Sequence, residues 1–227
     1  NVLDLFSGIG GFSLGLERAG MRTAMFCERD EFCRGVLARH WWGAHIAEDV
    51  RWASFCKADV IPAGFPCQDV SDAGNRSIRA GITGERSGLF WEVVRAVRLV
   101  RPRYVILENV AALLRRGMGT VLGALAESGH DAEWDCIPAF AVGAPCRRDR
   151  LIVVAQPHRE GQRGLEERNI FAEAGFTPPR RHHVDGLDLV EDGPWSARPE
   201  LCRVDYGLPG TVDRLSALGN SFNPEIA

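Results

Sequence analysis

Four residues of the chain have side chains suited to covalent and acid–base chemistry on a polar substrate: Cys67, Glu108, Arg148 and Arg150. Cys67 lies in Gly64-Phe65-Pro66-Cys67-Gln68, directly after a run, Ala58 to Ala63, that reads as a short buried strand. Ligands of open α/β sheets bind at the carboxyl ends of strands. A thiol there, with Pro66 stiffening the backbone before it, is a candidate nucleophile. The plain alternative is a buried small hydrophobe, the usual fate of a free cysteine. Arg103 to Leu107 reads as a second buried strand, and Glu108-Asn109-Val110 follows at its carboxyl end. Glu108 is therefore expected on the same rim as Cys67, where a general acid would sit beside a nucleophile. Arg148 and Arg150 are two residues apart and share a face if the segment is extended. Two guanidiniums on one face can grip phosphate and carbonyl oxygens.

The elements that must position these groups form an α/β pattern. Asn1 to Phe6 reads as a strand, Ser7 to Phe12 as a glycine turn, and Ser13 to Ala19 as a helix stopped by Gly20. This is how a nucleotide-binding βαβ unit opens, although the dinucleotide fingerprint counted from Gly8 ends on Ser13. Thr23 to Cys27 is a second strand, ending at Glu28, 20 residues after Gly8. An acid at that place commonly holds ribose hydroxyls, so an adenosine-containing cofactor is expected. A helix from Glu31 to Trp41 and a short strand precede Asp49, which is placed to accept from an adenine amino group. Leu89 to Val100 reads as a helix with Leu89, Val93, Val94, Val97 and Val100 on one face, ended by Pro102. A further helix is expected at 119–128, and strands at 133–137 and 151–155. Between Ser71 and Gly88 no period is visible, and the stretch carries Arg76, Arg79 and Arg86, as expected of a basic lid.

Composition bounds the rest. A chain of 227 residues, 45% hydrophobic and 25% charged, is that of a globular domain, or of a core with a small second lobe. The net charge of −3 gives no overall attraction to nucleic acid, so contacts must come from local clusters. Of 27 basic residues 26 are arginine, and the clusters are Arg76/Arg79/Arg86, Arg147/Arg148/Arg150 and Arg180/Arg181 followed by His182/His183. Seven cysteines without a C-x-x-C pair argue for a reducing cytoplasm and against structural zinc. No metal ligand set is expected. No apolar run approaches the ~20 residues of a membrane span. The sequence begins without Met and stops just after Pro224, where a helix could start, so missing ends are expected. Three regions are expected: a catalytic and cofactor-binding core over 1–155, a short polar variable region over 156–201, and a return segment over 202–227.

Taken in order, Asp4-Leu5-Phe6-Ser7-Gly8-Ile9-Gly10-Gly11-Phe12, Gly64-Phe65-Pro66-Cys67-Gln68, Glu108-Asn109-Val110, Arg148-Asp149-Arg150 and Leu218-Gly219-Asn220-Ser221 with Pro224 resemble the cytosine-C5 DNA methyltransferase family, in its short bacterial or phage restriction-modification form. The resemblance implies a Rossmann-like S-adenosylmethionine-dependent methyltransferase sheet with helices on both faces, plus a small variable target-recognition lobe. It implies that Cys67 adds to C6 of a cytosine flipped out of double-stranded DNA, and that methyl transfer from S-adenosyl-L-methionine to C5 follows. Glu108 would bond N3 and the exocyclic amine. Arg150 would hold O2, and Arg148 a flanking phosphate. Phe6, Gly8, Gly10, Glu28, Asp49, Pro66 and Leu89 would line the cofactor site, with Asn220 and Ser221 closing it from the far end of the chain. Arg76 and Arg79 of the lid, and Arg180 and Arg181 of the lobe, would touch DNA. A cytoplasmic monomer with a cognate restriction endonuclease is implied. The chain departs from the family pattern at Cys146, where relatives carry Gln or His, and in a variable region of only about 45 residues.

Three other readings compete. A tRNA cytosine methyltransferase would share the catalytic residues, but the chain lacks the Cys-Phe-Thr signature of that branch. A non-catalytic nucleic-acid binder is disfavoured by the intact Cys67, Glu108, Arg148 and Arg150. A nicotinamide-dependent oxidoreductase would bind NAD instead of S-adenosylmethionine.

Overall fold

A computed structural model of the chain describes residues 1–66, 87–139 and 149–158. The elements among them are, in order, β1 (Val2–Leu5), α1 (Gly11–Arg18), β2 (Thr23–Cys27), α2 (Glu31–His40), β3 (His45–Ala47), β4 (Val60–Ala63), α3 (Phe90–Val100), β5 (Tyr104–Val110), α4 (Leu113–Arg116), α5 (Met118–Glu127), β6 (His130–Pro138) and β7 (Asp149–Pro157). A 3-10 turn, Ser87–Leu89, leads into α3.

The seven described strands form one sheet in the order β3-β2-β1-β4-β5-β7-β6. From β3 to β5 every neighbour is parallel. β7 runs antiparallel to β5, and β6 antiparallel to β7. The chain moves outward from β1 through β2 to β3, then returns to the other side of β1 as β4. Right-handed crossovers therefore put α1 and α2 on one face and α3 on the other.

Burial on two faces explains the near-continuous apolar strands. All four residues of β1 are buried. Val2 packs with Leu16 of α1 and Val60, while Leu3 and Leu5 join a larger core with Phe90, Val93 and Val97 of α3. The buried stripe of α3 also takes in Val94 and Ala96. Arg101 closes that helix in the left-handed region (φ 52°), and Pro102 cannot continue it. Helix α2 opens on Asp30, whose carboxylate accepts from the Cys33 N–H at 2.9 Å.

Several element limits differ from the sequence expectation; α1 begins at Gly11 instead of Ser13, and the short helix α4 was not expected. Glu108, Asn109 and Val110 belong to β5 instead of following it, because β7 pairs with them: Glu108 with Ile152, Asn109 with Leu151, Val110 with Arg150. A polar residue at the end of an apolar run reads as a loop, but an antiparallel neighbour satisfies its backbone all the same. The same pairing lengthens β6 and β7 beyond their apolar cores. Leu89 sits in the 3-10 turn and the α-helix begins at Phe90. No described helix is long and apolar enough to cross a membrane.

Phe90 is fully buried between sheet and helix, whereas Trp42 is 94% exposed. Phe90→Ala is expected to lower the urea unfolding free energy by about 3–5 kcal/mol. Trp42→Ala should change it by less than about 0.5 kcal/mol, although it removes the larger side chain.

Candidate active site

Strand register brings the expected residues into one row. Cys27, Leu5, Ala63 and Leu107 are paired across β2, β1, β4 and β5. The residues one step further along are Glu28, Phe6, Gly64 and Glu108: the first three leave the sheet side by side at its carboxyl rim, and Glu108 stays in β5 beside them. The centre of this row is the switch point between β1 and β4, where open α/β sheets bind ligands.

The turn after β1 is built for close approach. Phe6 (φ 57°) and Gly10 (φ 89°) both occupy the left-handed region. A Cβ on Gly10 would come within 2.5 Å of the Trp41 ring, so only glycine fits. A Cβ on Gly8 would meet nothing within 4 Å: that backbone faces open space. The Gly8 N–H donates to Glu28 Oε2 at 2.7 Å, and the Asp30 N–H to Glu28 Oε1 at 2.7 Å. Glu28 thus ties the turn to the start of α2. Ser7 braces it from below: its hydroxyl donates to the Asp4 carbonyl at 2.7 Å and accepts from the Cys27 N–H at 3.2 Å. Open glycine backbone beside a carboxylate suits the ribose and amino-acid ends of an adenosine-type cofactor.

Asp49 follows β3. Arg51 holds its carboxylate through Nε at 3.0 and 3.1 Å, and through Nη2 at 2.5 Å. These bonds keep Asp49 ionised, with its pKa lowered to about 2. The loop is anchored to α3 by Arg95, whose Nη2 donates to the Val50 carbonyl at 2.5 Å and whose guanidinium lies over the Phe55 ring.

On the other side of the switch point, Glu108 pairs with Arg150 at 2.5 Å, both about four-fifths buried. Arg150 lies opposite Val110 and so is the diagonal, same-face neighbour of Glu108. Glu108 also lies against the segment that leads to Cys67: a Cβ on Gly64 would be 3.3 Å from its Oε2. Its neighbour Asn109 points to the opposite face. Buried to 3% exposure, Asn109 donates to the Phe65 carbonyl at 3.2 Å and accepts from the Val110 N–H at 2.9 Å. It fixes the backbone two residues before Cys67. The sequence reading gave Asn109 no role; its signal was an amide on a buried strand, which must find partners.

Phe6 and Leu89 are partly buried against the main core, and Pro66 is half-buried after β4. Cys67, Arg148, Asn220, Ser221, Arg76, Arg79, Arg180 and Arg181 lie outside the described residues, as does Cys146. The four described cysteines are poor nucleophiles. Burial pushes Cys27 and Cys33 up to about 12 and raises Cys56 and Cys136 as well. Among the described residues no group of His, Cys, Asp and Glu could hold a metal ion.

Asp4 heads the first motif of the family resemblance, without a role of its own in the sequence expectation. It is fully buried on the α1 side of β1, and its Oδ2 accepts from the Ser13 hydroxyl at 2.6 Å. Burial raises its pKa from 3.8 to about 7. The folded chain therefore keeps a proton that the unfolded chain loses, and stability falls as pH rises between those two values. Urea unfolding of the wild type and Asp4→Asn from pH 4.5 to 8 should show the variant gaining on the wild type by roughly 3 kcal/mol across that range. A constant difference would contradict the burial argument.

A family model, "C-5 cytosine-specific DNA methylase", matches residues 1–181. The type II methyltransferase M2.BsuMI of Bacillus subtilis (strain 168) is 37% identical over 163 residues, covering 68% of this chain and 41% of that protein. The type II methyltransferase M.Sau3AI of Staphylococcus aureus is 34% identical over 173 residues, covering 67% and 42%. Among solved structures, the S. pombe Dnmt2 methyltransferase has the same fold at a TM-score of 0.58, with 19% identity over 79% of this chain and 57% of that one. The match thus spans about two fifths of the length of these curated relatives. With the family's model running through β1 to β7 and beyond, the chain belongs to the C-5 cytosine-specific DNA methylase family.

Proposed function

We propose that the chain transfers a methyl group from S-adenosyl-L-methionine to C5 of a cytosine in double-stranded DNA. The observation that carries this reading is the largely buried Glu108–Arg150 pair set against Gly64, three residues before Cys67. A carboxyl and a guanidinium sharing one rim are the groups needed to hold the polar edge of a cytosine while a thiol attacks its ring. The family supports the same chemistry.

In this reading Cys67, as thiolate, forms a bond from sulfur to C6. Electron density moves to C5, and Glu108 donates a proton to N3 as it does so. Arg150 orients Glu108 and holds O2, and Arg148 binds an adjacent phosphate. S-adenosylmethionine, when bound, supplies an electrophilic methyl group. The C5 proton then leaves to a base, the C5–C6 double bond re-forms, Cys67 is expelled, and N3 returns its proton to Glu108. The target carbons are closed off inside a duplex, so the base must be flipped.

The residues present fit the cofactor. Gly8 leaves the backbone open, Gly10 lets the turn pack against Trp41 and so shapes the site, Glu28 is set to take ribose hydroxyls, and Phe6, Pro66 and Leu89 provide apolar walls. Asp49 takes the adenine amine if Arg51 yields part of its carboxylate. Asn220 and Ser221 complete the site. Arg76, Arg79, Arg180 and Arg181 contact DNA, the last two from the variable region 156–201. The core 1–155 and the segment 202–227 form the catalytic unit. The relatives' type II names support a modification role beside a restriction endonuclease. In this reading the chain acts in the cytoplasm as a monomer.

Bisulfite sequencing of DNA from a host free of cytosine methylation, expressing this chain, tests the proposal. Protected cytosines in one short shared sequence are expected, and none with Cys67→Ala. Soluble protein without protection, on full-length template, would count against it. In purified enzyme, Glu108→Gln should lower kcat by about 100-fold or more while leaving cofactor affinity within a few-fold.

A further inference from the structure

Asp4 is the one charged residue inside β1, and its position relative to the cofactor turn gives it a task. It stands two residues before Phe6 on the strand that delivers the turn. Its Oδ2 accepts from Ser13 at 2.6 Å, in the first turn of α1, three residues past Gly10. Its backbone carbonyl accepts from Ser7 at 2.7 Å. Asp4 therefore grips both ends of the stretch 7–13, one through its backbone and one through its side chain. We propose that Asp4 is a positioning residue for cofactor binding: by anchoring Ser13 it fixes the 7–10 turn in the conformation that receives S-adenosylmethionine. This rests on the cofactor reading above.

The anchor has two states. As a carboxylate, Asp4 accepts strongly from the Ser13 hydroxyl and backbone N–H. As a neutral acid it is a weaker acceptor, and Oδ1, buried without a partner among the described residues, would carry a hydroxyl with nowhere to donate. The groups facing it are Ser13 from α1, Ser7 from the turn, and Cys27 and Glu28 from the end of β2; β4 presents only the apolar Val60–Ala63. Burial and the Glu28 charge favour the neutral acid, the Ser13 bonds favour the carboxylate, and the two states come near balance at about pH 7. A turn held better by the carboxylate binds cofactor more tightly above that pH and more weakly below it. By linkage, cofactor binding at neutral pH releases a fraction of a proton.

Calorimetric titration of the full chain with S-adenosylmethionine from pH 5.5 to 8 tests this. For the wild type, affinity should rise by about tenfold across the range, with proton release on binding near pH 7 seen in buffers of different ionisation enthalpy. Asp4→Asn keeps the shape and an acceptor for Ser13 but cannot ionise. It should bind with affinity that varies less than twofold and with no proton release. Ser13→Ala should bind more weakly at pH 8 by severalfold, and Ser13→Thr should restore binding. An Asp4→Asn profile that follows the wild type, or unchanged affinity in Ser13→Ala, would overturn the assignment. If Asp4→Asn does not fold, the serine pair decides alone. A folded wild type that binds no S-adenosylmethionine at any pH overturns the cofactor reading, and this inference with it.

Discussion

Parallel pairing of β1 with β4 is the constraint on which the site depends. Leu5 is in register with Ala63, Ala63 with Leu107, and Leu5 with Cys27. Neighbouring strands lie about 4.8 Å apart. Residues one step beyond that row must therefore emerge as near neighbours, whatever their separation in the chain. Phe6, Glu28, Gly64 and Glu108 are those residues. A slip of one residue in β4 or β5 would turn the Gly64 or Glu108 position to the other face. The apolar residues that hold the register, Leu3, Leu5, Ile61, Ala63, Val105 and Leu107, are all buried in one core.

Around that row, polar side chains fix backbone. Glu28 holds the Gly8 N–H, Ser7 links β1 to β2, and Asn109 holds the Phe65 carbonyl. Each joins two strands or a strand and a turn at a point the ladder itself does not reach. Asp4 is the costly member of the set. Its burial works against the fold at neutral pH, which is the sign of a residue kept for what it positions and not for stability.

Much of this was legible in the sequence because the chemistry sits in short segments at strand ends. The runs ending at Phe6, Cys27, Ala63 and Leu107 declare strands, and glycine or acid directly after them declares the rim. The limits of β5, β6 and β7 were not legible, since antiparallel partners extend a strand through polar residues such as Glu108 and Asp149 without any apolar signal. Asp4 and Asn109 were hidden for a related reason. Asp4 reads as a polar interruption in an apolar run and Asn109 as a polar residue past the end of one, and only the partners, Ser13 nine residues on and Phe65 forty-four residues back, explain them. The Asp49–Arg51 pairing is local, yet nothing in the spacing distinguishes a carboxylate held by arginine from one left for a ligand.

The most direct test of the account is to trap the attacking thiol. A DNA duplex containing the recognised site with 5-fluorocytosine at the target offers no C5 proton to lose, so expulsion of the thiol is blocked after methyl transfer. With S-adenosylmethionine present, mass spectrometry of the denatured complex should find the methylated, fluorinated base linked to the peptide bearing Cys67, and Cys67→Ala should give none. A link to another cysteine, or no link from a protein that binds both DNA and cofactor, would contradict it.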